Sequence, residues 1–182
     1  MKILFVNACV RENSRTKELS SYLLSKLSGN VTEVDLTKGE IHSIDALDIF
    51  ARDFGAAYCR VHAEQFAEAD IVVIAAPYWD MSFPAILKEY IENICVSGVT
   101  FRYENDRPIG LCKAKKLYYV TTAGGPFMPD FGFNYIDALA KNFYGIPETK
   151  CFYAEGLDIY GADVDCILSQ VKREIDNETL KL

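Results

Sequence analysis

Residues 3–27 of this 182-residue chain read ILFVNACVRENSRTKELSSYLLSKL. The first four are apolar, and a short, fully apolar run predicts a parallel strand that is buried on both faces. A polar loop follows, and Leu19, Leu23 and Leu27 then recur at helical spacing. The helix would begin with unpaired N–H groups and the positive end of its dipole facing the loop. The stretch therefore predicts an anion-binding site between a strand and a helix.

Two kinds of chemistry fit this loop. In one, the hydroxyl groups of Ser14 and Thr16 hold a cofactor phosphate, and Arg15 adds positive charge. In the other, Cys9 and Arg15, spaced as C-x5-R-T, attack and clamp a substrate phosphate, as in low-molecular-weight phosphatases and arsenate reductases. Against the second interpretation, the loop has no glycine to turn its N–H groups inward, and no Asp-Pro pair follows late in the chain.

The bulk composition bounds the class of protein. The length suits a single domain spanning residues 1–182 and is too short for two domains of ordinary size. Acidic residues outnumber basic ones by 26 to 19, and the basic residues are scattered, which excludes the footprint of a nucleic-acid-binding protein. The longest apolar run, residues 71–79, is far shorter than the roughly 20 residues of a membrane helix. We therefore expect a cytoplasmic protein without membrane insertion, acting on small molecules.

The six cysteines are expected to be free thiols. They stand at positions 9, 59, 95, 112, 151 and 166 and form no C-x-x-C pair. Only two histidines accompany them, so no spacing suits a metal site, and we expect none.

Along the chain, apolar runs of strand length alternate with helical patterns. The patterns predict strands at 3–6, 31–36, 71–76, 116–121 and 150–154, with helices between them; the helix at 46–66 is expected to break near Gly55. Residues 99–111 are predicted to be irregular, with a turn at Asn105-Asp106. Such alternation predicts an α/β fold, a flavodoxin-like three-layer sandwich with a five-stranded parallel sheet in the order 2-1-3-4-5 and helices on both faces.

In such a sheet, ligands bind at the carboxyl ends of the strands, where the strand order reverses. Three loops meet there, at residues 9–16, 77–83 and 122–125. The second offers flat and soft side chains suited to a planar ligand, and the third offers bare backbone that can point N–H donors at a ring edge. The residues concerned are Pro77, Tyr78, Trp79, Asp80 and Met81 in the second loop and Thr122, Ala123, Gly124 and Gly125 in the third. Each signal alone is typical of a cap, a packed ring or a turn, but together they predict a ligand with a phosphate and a flat ring, which describes FMN.

The chain also resembles the FMN-dependent NAD(P)H quinone reductases and bacterial NADH azoreductases. The resemblance rests on APYWDMSFPAILK at 76–88, GVTFRY at 98–103 and the segment from Lys115 to Gly125, and it extends over most of the chain. It implies a homodimer with two flavin sites at the subunit interface, in which NADH or NADPH reduces FMN, leaves, and is replaced by a quinone or azo compound. It also implies that Ser14 and Thr16 hold the phosphate, that residues 77–81 flank the isoalloxazine ring, and that residues 122–125 contact its pyrimidine edge.

Two residues depart from the family pattern. Asp80 stands where an amide or aromatic residue is commoner, and a carboxylate beside the flavin disfavours anionic reduced FMN. Cys9 stands where serine is often found. Two alternatives to the reductase remain: a flavodoxin-type electron carrier, and the phosphatase or arsenate reductase that would use Cys9 and Arg15.

Overall fold

A computed structural model describes residues 1–39, 41–45, 48 and 57–180 of the chain. The strands described are β1 (Lys2–Asn7), β2 (Asn30–Asp35), β3 (Ile71–Ala75), β4 (Phe101–Glu104), β5 (Arg107–Gly110), β6 (Lys116–Thr122) and β7 (Glu148–Ala154). Five of them form a parallel sheet in the order β2-β1-β3-β6-β7. When only these five are numbered, this is the predicted order 2-1-3-4-5, and the flavodoxin-like prediction is confirmed.

The helices lie on both faces of this sheet. The described α-helices are α1 (Arg15–Lys26), α2 (Ala57–Glu68), α3 (Ala85–Ile94), α4 (Phe133–Leu139) and α5 (Val164–Thr179). A 3-10 turn (Leu36–Lys38) follows β2, and a π-helical turn (Ala140–Tyr144) continues α4 up to Gly145. The predicted helix at 46–66 is seen from Ala57 onward; its earlier part and the expected break near Gly55 lie outside the described residues, apart from Asp48.

The central strand β1 shows why the sequence forms three layers. Ile3 and Phe5 pack against α1 and α5, whereas Leu4 and Val6 pack in the cluster that contains side chains of α2, α3 and α4. All four side chains are at most 4% exposed. Because successive strand residues point to opposite faces, a strand that is apolar throughout needs a covering layer on each side. The predicted burial on both faces is therefore confirmed.

The prediction for residues 99–111 was wrong in part. These residues contain the antiparallel hairpin β4–β5, in which Phe101 pairs with Gly110 and Glu104 pairs with Arg107. The expected turn is present, and Asn105 and Asp106 both adopt left-handed φ values, +50° and +60°, as a two-residue type I′ turn requires. The strands have four residues each and face solvent over much of their length, so they carry no clear hydrophobic alternation.

The described cysteines form no disulfide with one another; Cys9 is buried and Cys166 is exposed. Cys59 is outside the described side chains. Among the described helices, none combines the length and the apolar character that a membrane crossing requires.

Candidate functional site

An open cleft lies at the carboxyl edge of the parallel sheet, around the loops that follow β1, β3, β6 and β7. Its volume is about 310 Å³. The residues that line it are Arg11, Asn13, Ser14, Arg15, Pro77, Tyr78, Trp79, Thr122, Ala123, Gly124, Leu157 and Asp158. Eight of the thirteen predicted site residues are in this set. Cys9, Thr16, Asp80, Met81 and Gly125 are not.

The start of α1 forms one end of the cleft. Ser14 is the N-cap of the helix, and its Oγ accepts a hydrogen bond from the backbone N–H of Lys17 at 3.2 Å. The Ser14 hydroxyl also forms a hydrogen bond with the Cys9 side chain, which lowers the pKa of that thiol against the larger effect of its burial. The N–H groups and the positive dipole end of α1 lie at the same place, so this end suits an anion.

Thr16 lies just beneath that end rather than on the cleft wall. Its side chain is fully buried, and its Oγ1 lies 2.7 Å from Oγ1 of Thr122, which does line the cleft. Either hydroxyl can be the donor of this bond. The contact joins the first turn of α1 to the end of β6, so the two ends of the site are linked by a hydrogen bond between side chains.

Cys9 is not placed to act as a nucleophile. Its side chain is 5% exposed, and its Sγ contacts the backbone oxygen of Ala75 at 3.8 Å. Burial raises the pKa of the Cys9 thiol above its ordinary value, whereas a nucleophilic cysteine needs a lowered one. The second partner of the motif is also engaged elsewhere, because Arg15 Nη1 donates to Asp158 Oδ1 at 2.8 Å. The C-x5-R-T spacing therefore does not form the nucleophile and clamp of a phosphatase.

The loop after β3 makes a tight turn beside the cleft. The backbone N–H of Trp79 donates to the Ser82 oxygen at 3.0 Å, and Ser82 N–H donates back to the Trp79 oxygen at 2.7 Å. Between them, Asp80 and Met81 adopt φ values of +50° and +67°. The left-handed region is unfavourable for side chains other than glycine, asparagine and aspartate, so Met81 is strained. Both side chains are exposed, and neither is among the residues that line the cleft.

The loop after β6 is backed by the chain that follows β7. The N–H groups of Gly156, Leu157 and Asp158 donate to the backbone oxygens of Gly125, Ala123 and Gly124, at 2.9, 3.2 and 2.9 Å respectively. The backbone N–H groups of Gly124 and Gly125 have no acceptor among the described residues. A methyl group on Gly124 would overlap the Asp158 carboxylate, whereas a methyl group on Gly125 would have no heavy atom within 4 Å. Unpaired donors and open space therefore occur together at this loop.

Four cleft residues were missed by the sequence analysis: Arg11, Asn13, Leu157 and Asp158. The first two belong to the polar loop at residues 9–16 that the sequence analysis had selected. They could have been found by treating every polar residue of that loop as a candidate. The other two follow the fifth parallel strand, whose carboxyl end lies at the same edge as the others. The Arg11 guanidinium carbon lies 6.0 Å from the centre of the Trp79 ring, a cation–π arrangement that joins two loops of the cleft.

The donor set and shape of the cleft fit FMN. Pockets for small ligands commonly start at about 300 Å³, so the volume of about 310 Å³ is adequate for an open site. A helix N-terminus with a hydroxyl group at its N-cap suits a phosphate, and Tyr78 and Trp79 supply flat surfaces for a ring. No group of three His, Cys, Asp or Glu side chains in the described ranges could hold a metal ion.

The fold and the cleft define a flavodoxin-like α/β protein. The Flavodoxin_2 family model, described as flavodoxin-like fold, matches residues 1–178. The chain is 37% identical over 185 aligned positions to the FMN-dependent NADH:quinone oxidoreductase 2 of Clostridium acetobutylicum, with 92% of each chain covered. It is 34% identical over 193 positions to the FMN-dependent NADH:quinone oxidoreductase of Caldicellulosiruptor bescii, with 96% of each covered.

A solved structure agrees with these sequence matches. The crystal structure of azoreductase from Bacillus anthracis str. Sterne superposes with a TM-score of 0.86 at 26% identity and full coverage of both chains. The chain therefore belongs to the family of the FMN-dependent NADH:quinone oxidoreductases and azoreductases, as the resemblance predicted.

Proposed function

We propose that this protein is an FMN-dependent oxidoreductase that takes electrons from NADH and passes them to a quinone or an azo compound. The observation that carries the proposal is the cleft itself, where a helix N-terminus, two aromatic side chains and unpaired backbone N–H groups meet at one edge of the sheet. The names of the relatives supply the donor and the class of acceptor. Neither alternative function receives comparable support.

The proposed assignments follow the two ends of the cleft. Ser14 would donate its hydroxyl proton to the FMN phosphate together with N–H groups of α1, and Thr16 would support this end from below through Thr122. Residues Pro77, Tyr78, Trp79, Asp80 and Met81 would flank the isoalloxazine ring, and Thr122, Ala123, Gly124 and Gly125 would meet its pyrimidine edge. Cys9 would contribute packing below the phosphate loop.

Bound FMN supplies reversible hydride uptake, a reaction that no side chain of this protein can perform by itself. The protein's part is to bind, orient and exclude water. Tyr78 and Trp79 provide surfaces for stacking, so a nicotinamide and then an acceptor can each lie at contact distance from the ring. The N–H groups of Gly124 and Gly125 would donate to the pyrimidine edge of bound FMN, where negative charge develops on reduction, and would stabilise the reduced form.

The finer properties belong to the same proposal. Exposed apolar side chains occur in segments next to the cleft, and Met81, Met128 and Phe131 are 45%, 43% and 62% exposed. Such a group is typical of a surface that is buried in an assembly, which supports a homodimer. NADPH is proposed as a second donor beside NADH. We further propose a cytoplasmic location and a single domain over residues 1–182.

The test uses the purified full-length protein. We expect it to retain FMN, to lose its yellow colour when NADH is added without oxygen, and to regain the colour when a benzoquinone or an azo dye follows. Colour that is lost only with dithionite or a partner reductase would favour the electron carrier. A colourless protein that hydrolyses an aryl phosphate would favour the phosphatase.

A further inference from the structure

The segment after β7, residues 155–158, contacts the loop after β6 from behind. Its backbone N–H groups donate hydrogen bonds to the backbone oxygens of Ala123, Gly124 and Gly125. Glu155 Oε2 also accepts a hydrogen bond from the backbone N–H of Phe127 at 2.6 Å. Since the carbonyl groups are held on one side, the orientation of this loop and of its unpaired N–H groups is set by residues 155–158.

Arg15 connects these residues to the opposite end of the cleft. From the first turn of α1, its Nη1 donates to Asp158 Oδ1 at 2.8 Å and to the Leu157 backbone oxygen at 3.4 Å. These contacts join positions that are 143 and 142 residues apart in the chain. A side chain that the sequence places in the phosphate loop thus supports the loop proposed for the ring.

The two cleft arginines differ in how their charge is used. The Arg15 guanidinium is neutralised by Asp158. The Arg11 guanidinium lies over Trp79, and no carboxylate of the described residues is within ion-pair distance of it. An anion entering the cleft would therefore meet an uncompensated charge at Arg11 and a compensated one at Arg15.

We propose that Arg15 and Asp158 are positioning residues for the flavin ring, and that Arg15 does not bind the FMN phosphate. The pair holds residues 155–158 against Gly124 and Gly125, so that the two glycine N–H groups face the cleft. The packing of Asp158 at Gly124, where a methyl group would overlap its carboxylate, and the open space at Gly125 are consistent with this division. The inference rests on the proposed binding of FMN and assigns the role of these two residues within it.

The deciding experiment compares FMN with riboflavin, which has the ring and lacks the phosphate. Dissociation constants are measured by flavin fluorescence with flavin-free wild type, Arg15→Ala and Asp158→Ala. We expect Arg15→Ala to weaken the binding of both ligands by the same factor, about threefold, and Asp158→Ala to weaken the binding of uncharged riboflavin by a similar factor, as expected for a solvent-exposed ion pair. The proposal would be overturned if Arg15→Ala weakened the binding of FMN alone, or if it changed the dissociation constant of neither ligand. Wild type that binds neither ligand would instead overturn the proposed function.

Further measurements separate positioning from general stabilisation. The visible absorption maximum of bound FMN should shift in Arg15→Ala and Asp158→Ala and return toward wild type in Arg15→Lys, which can still pair with Asp158. The increase in melting temperature caused by inorganic phosphate, without flavin, should be the same in Arg15→Ala as in wild type; its loss would show that Arg15 binds phosphate. Arg60→Ala removes an exposed arginine–carboxylate pair, to Glu64 on α2, and is the matched control expected to change none of these values.

Discussion

The two ends of the cleft are built differently. The phosphate end lies at the start of α1, where we propose that the FMN phosphate binds. Its polar side chains are held by the protein: Ser14 caps α1, and the Thr16 hydroxyl bonds to Thr122. The ring end is formed by the loops after β3 and β6, where we propose that the isoalloxazine ring binds. Here Asp80 and Met81 have left-handed backbones, and the N–H groups of Gly124 and Gly125 have no acceptor among the described residues.

This difference indicates how the phosphate end and the ring end each contribute to the affinity for a cofactor. The phosphate end is made by elements the fold requires in any case, a strand and the helix that follows it, so it is present before a ligand binds. The ring end keeps a strained turn and backbone N–H groups without a protein acceptor among the described residues, which is typical of functional loops. Substitutions at the phosphate end should therefore affect both stability and binding, whereas substitutions at the ring end should separate them.

The largest effect is expected for Gly125→Leu. A Cβ added here would have no heavy atom within 4 Å and φ is not left-handed, so the flavin-free protein should fold with nearly unchanged stability. The same side chain would fill the space proposed for the pyrimidine edge, so flavin retention should be lost. Absorption at 450 nm of the purified variant and its melting temperature check the two halves of the prediction, with Gly125→Ala as the graded control. A Gly125→Leu protein that purifies fully yellow would contradict the placement of the ring.

A smaller effect is expected for Ser14→Ala, which tests the phosphate end. Losing the helix cap should lower the free energy of unfolding by about 1 kcal/mol. Losing a hydroxyl that donates to a charged phosphate should weaken FMN about 10- to 100-fold and leave riboflavin unchanged.

The matched control for Ser14 is Asp163→Ala. Asp163 caps α5 in the same way, with its Oδ1 accepting from Cys166 N–H at 3.0 Å, and it lies outside the cleft lining. Urea unfolding and flavin titrations on both variants separate the two effects. Equal FMN affinity in Ser14→Ala and Asp163→Ala would contradict the phosphate assignment.

At the ring end, Met81→Gly should stabilise the protein and weaken flavin binding. Glycine accepts a φ of +67° without the penalty that methionine has, so the free energy of unfolding should rise by about 1 kcal/mol. FMN should bind less tightly, because the exposed Met81 side chain is proposed to flank the ring. Asp106→Gly, at a left-handed position in the β4–β5 turn, is the control: because aspartate tolerates this conformation, neither the stability nor the FMN affinity should change much. Tighter FMN binding by Met81→Gly would show that the Met81 side chain and its strained backbone do not contribute to flavin binding.

Most of the fold could be predicted because its main signals are local. Apolar runs at β1 and β3 and helical periodicity between them indicate a parallel sheet. Because crossover connections between parallel strands are right-handed, few strand orders remain. The hairpin β4–β5 was missed because its short strands are half exposed, so side-chain burial imposes no period on the sequence.

The site was predicted only where its residues are neighbours in sequence. The loops after β1, β3 and β6 each contain a recognisable set of small, aromatic or glycine residues. The ion pair between Arg15 and Asp158 has no local signal, because it depends on how two distant loops are brought together by the sheet. The left-handed backbone of Met81 was equally hidden, since methionine is not a residue that predicts such a conformation.

The smallest effect is expected for Cys9→Ser, which tests whether the buried thiol has any chemical part. Serine can donate to the Ala75 oxygen that the Cys9 Sγ now contacts, so the loop should keep its shape and quinone reductase activity should be unchanged. Burial raises the pKa of the thiol, so the neutral form is present at and below its ordinary titration range and is lost only at higher pH. The activity of wild type and of Cys9→Ser should therefore follow the same pH profile from pH 6 to about 8, where the ordinary thiol pKa begins to matter. Activity that disappears in Cys9→Ser while FMN stays bound would mean that the phosphate end does more than hold a phosphate.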